Sequence, residues 1–249
     1  EVEDYIVAVQ QSSTQSEAQV DWLASDANLD FDQESILFKQ GSVNSFSSQT
    51  NQIGHLAITG STVSQNLTIN LDPESTLGEP LLSIDGNLGN NTAYWTGSRS
   101  TIDLTAGSSI LVTNFQTLDL SSPASQSVIL STEAVSRLNP ASSGVTIHLS
   151  DGDTIRMIDR DQWRLTDPQL VGQQWFVPSY QLDDSNVKIL VQTNHPWHNY
   201  LRSSDINNDG GVTAGDALRI INELAARRFS SPLDQQVIEV GSAIGFGYV

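Results

Sequence analysis

Between His55 and Gln192 apolar and polar positions alternate in short runs. Leu67-Thr-Ile-Asn-Leu71, Leu81-Leu-Ser-Ile84, Thr101-Ile-Asp-Leu104, Ile110-Leu-Val-Thr-Asn-Phe115 and Leu118-Asp-Leu120 set the pattern. Val128-Ile-Leu130, Val145-Thr-Ile-His-Leu149, Thr154-Ile-Arg-Met-Ile158 and Val187-Lys-Ile-Leu-Val191 continue it. A period of two puts one set of side chains inward and the other outward, and Thr, Val and Ile suit a pleated surface, so each run predicts a strand. Asp85-Gly86-Asn87, Gly89-Asn90-Asn91 and Asp151-Gly152-Asp153 are turn signals between them. Strands this short at uneven intervals suit a parallel β-solenoid, or β-helix, in which each strand stacks on the next coil; they equally suit a β-sandwich.

Only two stretches carry a helical period. Thr132–Leu138 is brief and is stopped by Asn139-Pro140, and Ala217–Ala226 is longer. In the second, Ala217, Leu218, Ile220, Ile221, Leu224 and Ala225 fall on one face, and Arg227 and Arg228 follow where a helix dipole favours cations.

Directly before this helix runs Asp205-Ile-Asn-Asn-Asp-Gly-Gly-Val-Thr-Ala-Gly-Asp216. Side-chain oxygens fall at the first, third and fifth positions (Asp205, Asn207, Asp209), and Gly210 allows a sharp turn. The Gly211 carbonyl and the Asp216 carboxylate complete the pattern of a chain wrapped around one Ca²⁺. Val212 supplies the apolar residue that ties such a loop to a core, and Thr213 a contact through water. Left unoccupied, Asp205, Asp209 and Asp216 repel one another at close range.

The loop ends in Asp rather than Glu, has no entering helix and runs straight into Asp-Ala-Leu-Arg-Ile-Ile-Asn-Glu-Leu. Over Pro196–Arg228 it resembles the first repeat of a type I dockerin, in particular the dockerin-like C-terminal modules of large secreted planctomycete proteins. The resemblance implies a Ca²⁺-dependent module for attachment to a protein partner. A dockerin has two such loops and this chain has one. Ala214-Gly215 stand where cellulosomal dockerins often have Ser-Thr, which argues against a standard cohesin as the partner.

Two further resemblances extend the picture. Glu1–Tyr5 is similar to the closing strand of the GEVED-type β module of bacterial surface proteins. Val112–Val135 looks like the β-repeat segments of giant secreted bacterial adhesins, and the unit at Thr68-Ile-Asn-Leu, Thr101-Ile-Asp-Leu and Thr117-Leu-Asp-Leu recurs, which favours the solenoid over the sandwich. The expected organisation is a terminal strand of a preceding module, or a linker, over 1–20; a β-rich repeat-like domain over 21–192; and a dockerin-like half module over 193–249. The opening strand reads as cut from a longer polypeptide, or as one that adds to a neighbouring subunit and builds a filament.

Composition changes the picture chiefly through charge. In 249 residues, 29 acidic side chains face 11 basic ones, a net charge of −18. That field repels nucleic acid and anionic lipid. No apolar run is long enough to cross a bilayer as a helix. Without Cys there is no disulfide and no thiolate metal site, and carboxylates and amides favour Ca²⁺ as the metal.

Weaker constellations remain. Asp26, Asn28, Asp30, Asp32 and Glu34 share one strand face, to be solvated or to hold a second Ca²⁺. His195-Pro-Trp-His198 reads as a linker anchored by Trp197 rather than a zinc site, since Pro196 prevents a helix from presenting both rings. Asp151, Asp153, Arg156, Asp159 and Asp161 would serve a polysaccharide lyase or hydrolase if they converged. No nucleophile elbow or phosphate-binding loop occurs. The expected function is non-catalytic: a calcium-binding structural or adhesive segment of a secreted or cell-surface bacterial protein, acting through a protein partner or self-association, with polysaccharide as a further candidate.

Overall fold

The computed structural model describes residues 7–12, 15–32, 35–49, 52–71, 81–99, 101–140, 144–150, 152–166, 169–171, 174–176, 179–183, 185–193, 204 and 212–225. In chain order come β1 (Val7–Ser12), β2 (Gln15–Asp21), β3 (Asp26–Phe31), β4 (Ser35–Gln40), β5 (Val43–Gln49), β6 (Ile53–Thr59) and β7 (Asn66–Leu71). Shorter strands follow: β8 (Leu81–Asp85), β9 (Thr92–Trp95), β10 (Thr101–Asp103), β11 (Ile110–Thr113), β12 (Thr117–Asp119) and β13 (Ser127–Leu130). Helix α1 (Thr132–Leu138) leads to β14 (Gly144–His148), β15 (Thr154–Met157), β16 (Trp163–Thr166), β17 (Gln169–Val171) and β18 (Gln174–Phe176). The last elements are β19 (Ser179–Leu182), β20 (Lys188–Gln192) and α2 (Ala214–Ala225).

The fold is mainly β, with parallel and mixed sheets. The largest, of 10 strands, has the order β16-β19-β20-β14-β12-β9-β7-β3-β4-β5. Its middle, from β3 through β7, β9, β12 and β14 to β20, is parallel, and both flanks are antiparallel. A second sheet stacks β2, β6, β8 and β11 in parallel, with β1 antiparallel at its edge. A third, β10-β13-β15, is parallel throughout. The chain visits these sheets in the same sequence on successive passes, from β8 to β9 to β10, then from β11 to β12 to β13.

The registers align like residues. Ala27, Leu67, Ala93, Leu118, Ile147 and Val191 form one buried column through six strands. Ala18, Leu56, Leu82 and Ile110 form another in the second sheet, and Ile102, Val128 and Ile155 a third. Burying each large aliphatic side chain contributes roughly 1.5–3 kcal/mol, so the columns are the main cohesive element of the fold.

The corners between sheets are held by buried amides. Gln65 accepts from Ser61 N–H (2.7 Å) and donates to the carbonyls of Trp22 (2.9 Å) and Ala24 (2.8 Å). Asn91 accepts from Gln65 N–H (3.0 Å) and donates to Gly86 (2.8 Å) and Asn114 (3.0 Å). Each satisfies backbone groups that a turn cannot pair within itself. Asn114 has φ of 59°, a left-handed turn that Asn tolerates. At Gly97 a Cβ would collide with the backbone of Leu71, so only glycine lets those turns approach.

Helix α1 has the bounds that its sequence predicts. Ser131 accepts from Ala134 N–H at the start, and Asn139 ends it. It buries Ala134, Val135 and Leu138 and takes up the free edge of β11, where Asn114 N–H donates to the Arg137 carbonyl (3.1 Å).

The boundary expected at residue 20 lies within β2, which pairs with β6, and Ala18 and Val20 are part of the common core. The described part of the opening strand, β1, pairs with β2 of the same chain and forms the edge of that sheet. Residues 1–6 lie outside the described residues.

Candidate functional site

Of the five residues expected to bind Ca²⁺, Asp216 is described, while Asp205, Asn207, Asp209 and Gly211 lie outside the described residues. Helix α2 begins at Ala214, earlier than the sequence pattern suggests, so the last loop residues already form its first turn. The reason is a capping box. Asp216 Oδ2 accepts from Thr213 N–H (2.7 Å) and from the Thr213 hydroxyl (3.2 Å), and Thr213 Oγ1 accepts from Gly215 N–H (3.1 Å). Thr213, expected as a ligand through water, is the helix cap. The Thr-x-x-Asp spacing was the signal for it.

Asp216 is 2% exposed, while Val212, Leu218 and Ile221 are exposed at 70%, 59% and 58%. Among the described side chains of this segment the carboxylate is therefore buried and the apolar ones are not. Among the described residues, no group of three or more His, Asp or Glu side chains is placed to hold a metal.

The acidic face of β3 is hydrogen-bonded by amides. Asn66 donates to Asp26 (2.9 Å) and Asn70 to Asp30 (3.2 Å), and Lys39 lies 3.7 Å from Asp30. The hydrogen bonds from Asn66 and then Ser25 hold the Asp26 carboxyl below its ordinary pKa. Asp32 turns back to accept from Ser35 N–H (2.6 Å), and Glu34 lies outside the described residues.

The acid-and-arginine set is dispersed. Asp153 is buried and accepts from Gln126 N–H (2.8 Å) and Ser150 N–H (2.7 Å), which makes it a turn residue. Asp159 accepts from Thr132 N–H (2.8 Å) at the head of α1, and Arg156 and Asp161 are exposed. Asp151, His195 and His198 lie outside the described residues. His55 meets Ser83 Oγ at 3.0 Å.

The outward face of the ten-stranded sheet is a grouping that alternation alone does not reveal. The registers bring Asn28, Thr68, Tyr94, Asp119, His148 and Gln192 into one outward column. Beside it runs a second, with Asn66, Thr92, Thr117 and Thr146 in succession. His148 Nδ1 lies 3.3 Å from Asp119 Oδ2, and the Ser121 hydroxyl donates to Asp119 Oδ1. Burial alone would push the Asp119 pKa up; the hydrogen bonds from His148 and Ser121, with the His148 charge, outweigh it and hold the carboxyl below its ordinary value. Thr68, Thr117, Asp119, Thr146 and His148 are the polar half of alternating runs, Thr92 and Tyr94 lie outside them, and the juxtaposition of all these residues depends on which strands stack.

No protein-family model, curated protein or solved structure matches the chain. Among the described residues, no helix is long and apolar enough to cross a membrane.

Proposed function

We propose that this chain is a non-catalytic, calcium-binding structural or adhesive segment of a large secreted or cell-surface bacterial protein, ending in a dockerin-like half module. The observation that carries the reading is the twelve-residue loop from Asp205 to Asp216, whose oxygen-bearing residues and glycine follow the spacing of a Ca²⁺ loop and whose last ligand heads a helix. The capping box supports it, because it fixes the Asp216 side chain before an ion arrives. The exposed Val212, Leu218 and Ile221 support a docking role, since an apolar helix stripe without a partner is a candidate contact surface. The dispersal of Asp153, Arg156, Asp159 and Asp161 speaks against a hydrolase or lyase built on them.

The finer fold reading is a parallel β-solenoid. In-register parallel ladders, repeated visits to the sheets in one order and continuous aliphatic columns all favour it over a sandwich of two antiparallel sheets.

Calorimetric titration of the metal-free chain with Ca²⁺ tests the function. One site is expected, lost in Asp209→Ala. No heat of binding in the unsubstituted chain would refute the reading.

A further inference from the structure

The outward side of the ten-stranded sheet presents a second set of groups, independent of the twelve-residue loop. Along the outward side of the parallel strands β7, β9, β12 and β14 the two registered columns are hydroxyls, amides, one phenol and one Asp–His pair, and the second column passes from Thr146 to Leu190 on β20, which ends the polar run. Thr68, Thr92, Tyr94, Thr117 and Thr146 are partly exposed, while the alternate side chains of the same strands are buried. Strands lie about 4.8 Å apart, so the same donor–acceptor groups repeat at that interval along the stack.

Each feature selects the ligand. A run of evenly spaced hydroxyls matches a polymer that itself presents hydroxyls at a regular interval of similar length. Tyr94, in the middle of the run, offers a ring for the apolar face of a sugar and a hydroxyl for its edge. The acidic side chains at the margin and the net charge of −18 repel phosphate, sulfate and uronate polymers. We propose that this face binds a neutral polysaccharide chain lying along the strand stack, centred on Tyr94 and flanked by Thr92 and Thr117.

The test is affinity electrophoresis of the intact chain through gels containing neutral polysaccharides (β-1,4- and β-1,3-glucans, xylan, mannan, α-glucan), with alginate and heparin as anionic controls. Retardation by at least one neutral polymer is expected, unchanged by EDTA, which separates this site from the calcium loop. Tyr94→Ala should weaken it at least tenfold. Thr117→Val, which keeps the shape and strand preference while removing one hydroxyl, should weaken it severalfold, with both variants melting as the unsubstituted chain does. Migration unaffected by every neutral polymer, retardation by the anionic gels alone, loss of retardation in EDTA, or retention unchanged in both variants would each overturn the proposal.

Discussion

The strand stack and the loop–helix segment solve the same problem by opposite means. In the stack, Leu118 is sandwiched between Ala93 and Ile147, and such columns remove nearly all inward side chains from water. Among the described side chains of the loop–helix segment Asp216 is buried, while Val212, Leu218 and Ile221 face solvent. The first region is cohesive through packing. The second has Asp205, Asp209 and Asp216 close together in sequence and Val212, Leu218 and Ile221 exposed, so on the proposed reading its order depends on what binds it, an ion at the loop and a partner on the helix. On that reading stability in this chain is of two kinds, one intrinsic and one conditional on ligand.

The contrast is sharpest in Leu118→Ala. Truncation leaves a cavity within a column that neighbours on two strands cannot collapse to fill, and should cost about 2–5 kcal/mol. Urea unfolding measures it, and Ca²⁺ affinity should be unchanged. A variant equally impaired in both would show the two regions to be one cooperative unit.

Chelation probes the other side. Calcium at about a hundredfold over its dissociation constant stabilises the bound state by about 2.7 kcal/mol. EDTA should therefore speed hydrogen exchange in Val212–Ala225 while β12 and its neighbours stay protected. Equal loss of protection in both would break the comparison, and no change in either would remove calcium from it.

Thr213→Ala separates the cap from the ion. Losing the Thr213 hydroxyl leaves Gly215 N–H without its acceptor and should cost about 1 kcal/mol of α2 stability. Exchange rates confined to the first turn of α2 report it, and titration shows how far the box prepares Asp216 for Ca²⁺.

How much of this could be read along the chain depended on whether a signal was local. Helix α1 was legible to the residue because Ser131 caps it and Asn139-Pro140 stops it. The strands from Leu67 to Val191 were legible through alternation, but their partners were not. The unit Thr-Ile/Leu-Asp/Asn-Leu serves β7 and β12 in one sheet and β10 in another, and its spacing is the same whichever sheet receives it. β9 gives a weak signal because Thr-Ala-Tyr-Trp is short and sits among Gly and Asn, whereas β4 does alternate, with Ile36, Phe38 and Gln40 inward. At the candidate site the loop spacing was plain. The Thr213–Asp216 cap uses the same carboxylate that closes the loop pattern, so one Asp carries two local signals. The polar face around Tyr94 could not be seen at all without register, since its members are far apart in sequence.

The smallest expected effect concerns that face. The Asp119 carboxyl titrates lower in the folded chain than an ordinary carboxylate, so folding favours its ionised form. The stability this provides is fully present above the ordinary carboxylate pKa of about 4 and is lost as pH falls through the lower folded value. His148→Gln takes away the positive charge beside Asp119 and the ring that bonds it; the folded pKa of Asp119 then rises towards the ordinary value. Acid unfolding should begin at a higher pH, with less than about 1 kcal/mol lost near neutrality, as for other pairs close to the surface. Asp26 is a control, since its low pKa comes from Asn66 and Ser25 and should not respond. A midpoint unmoved in His148→Gln would mean that Ser121 alone holds Asp119, and that the outer face, unlike the columns beneath it, does not couple one strand to the next.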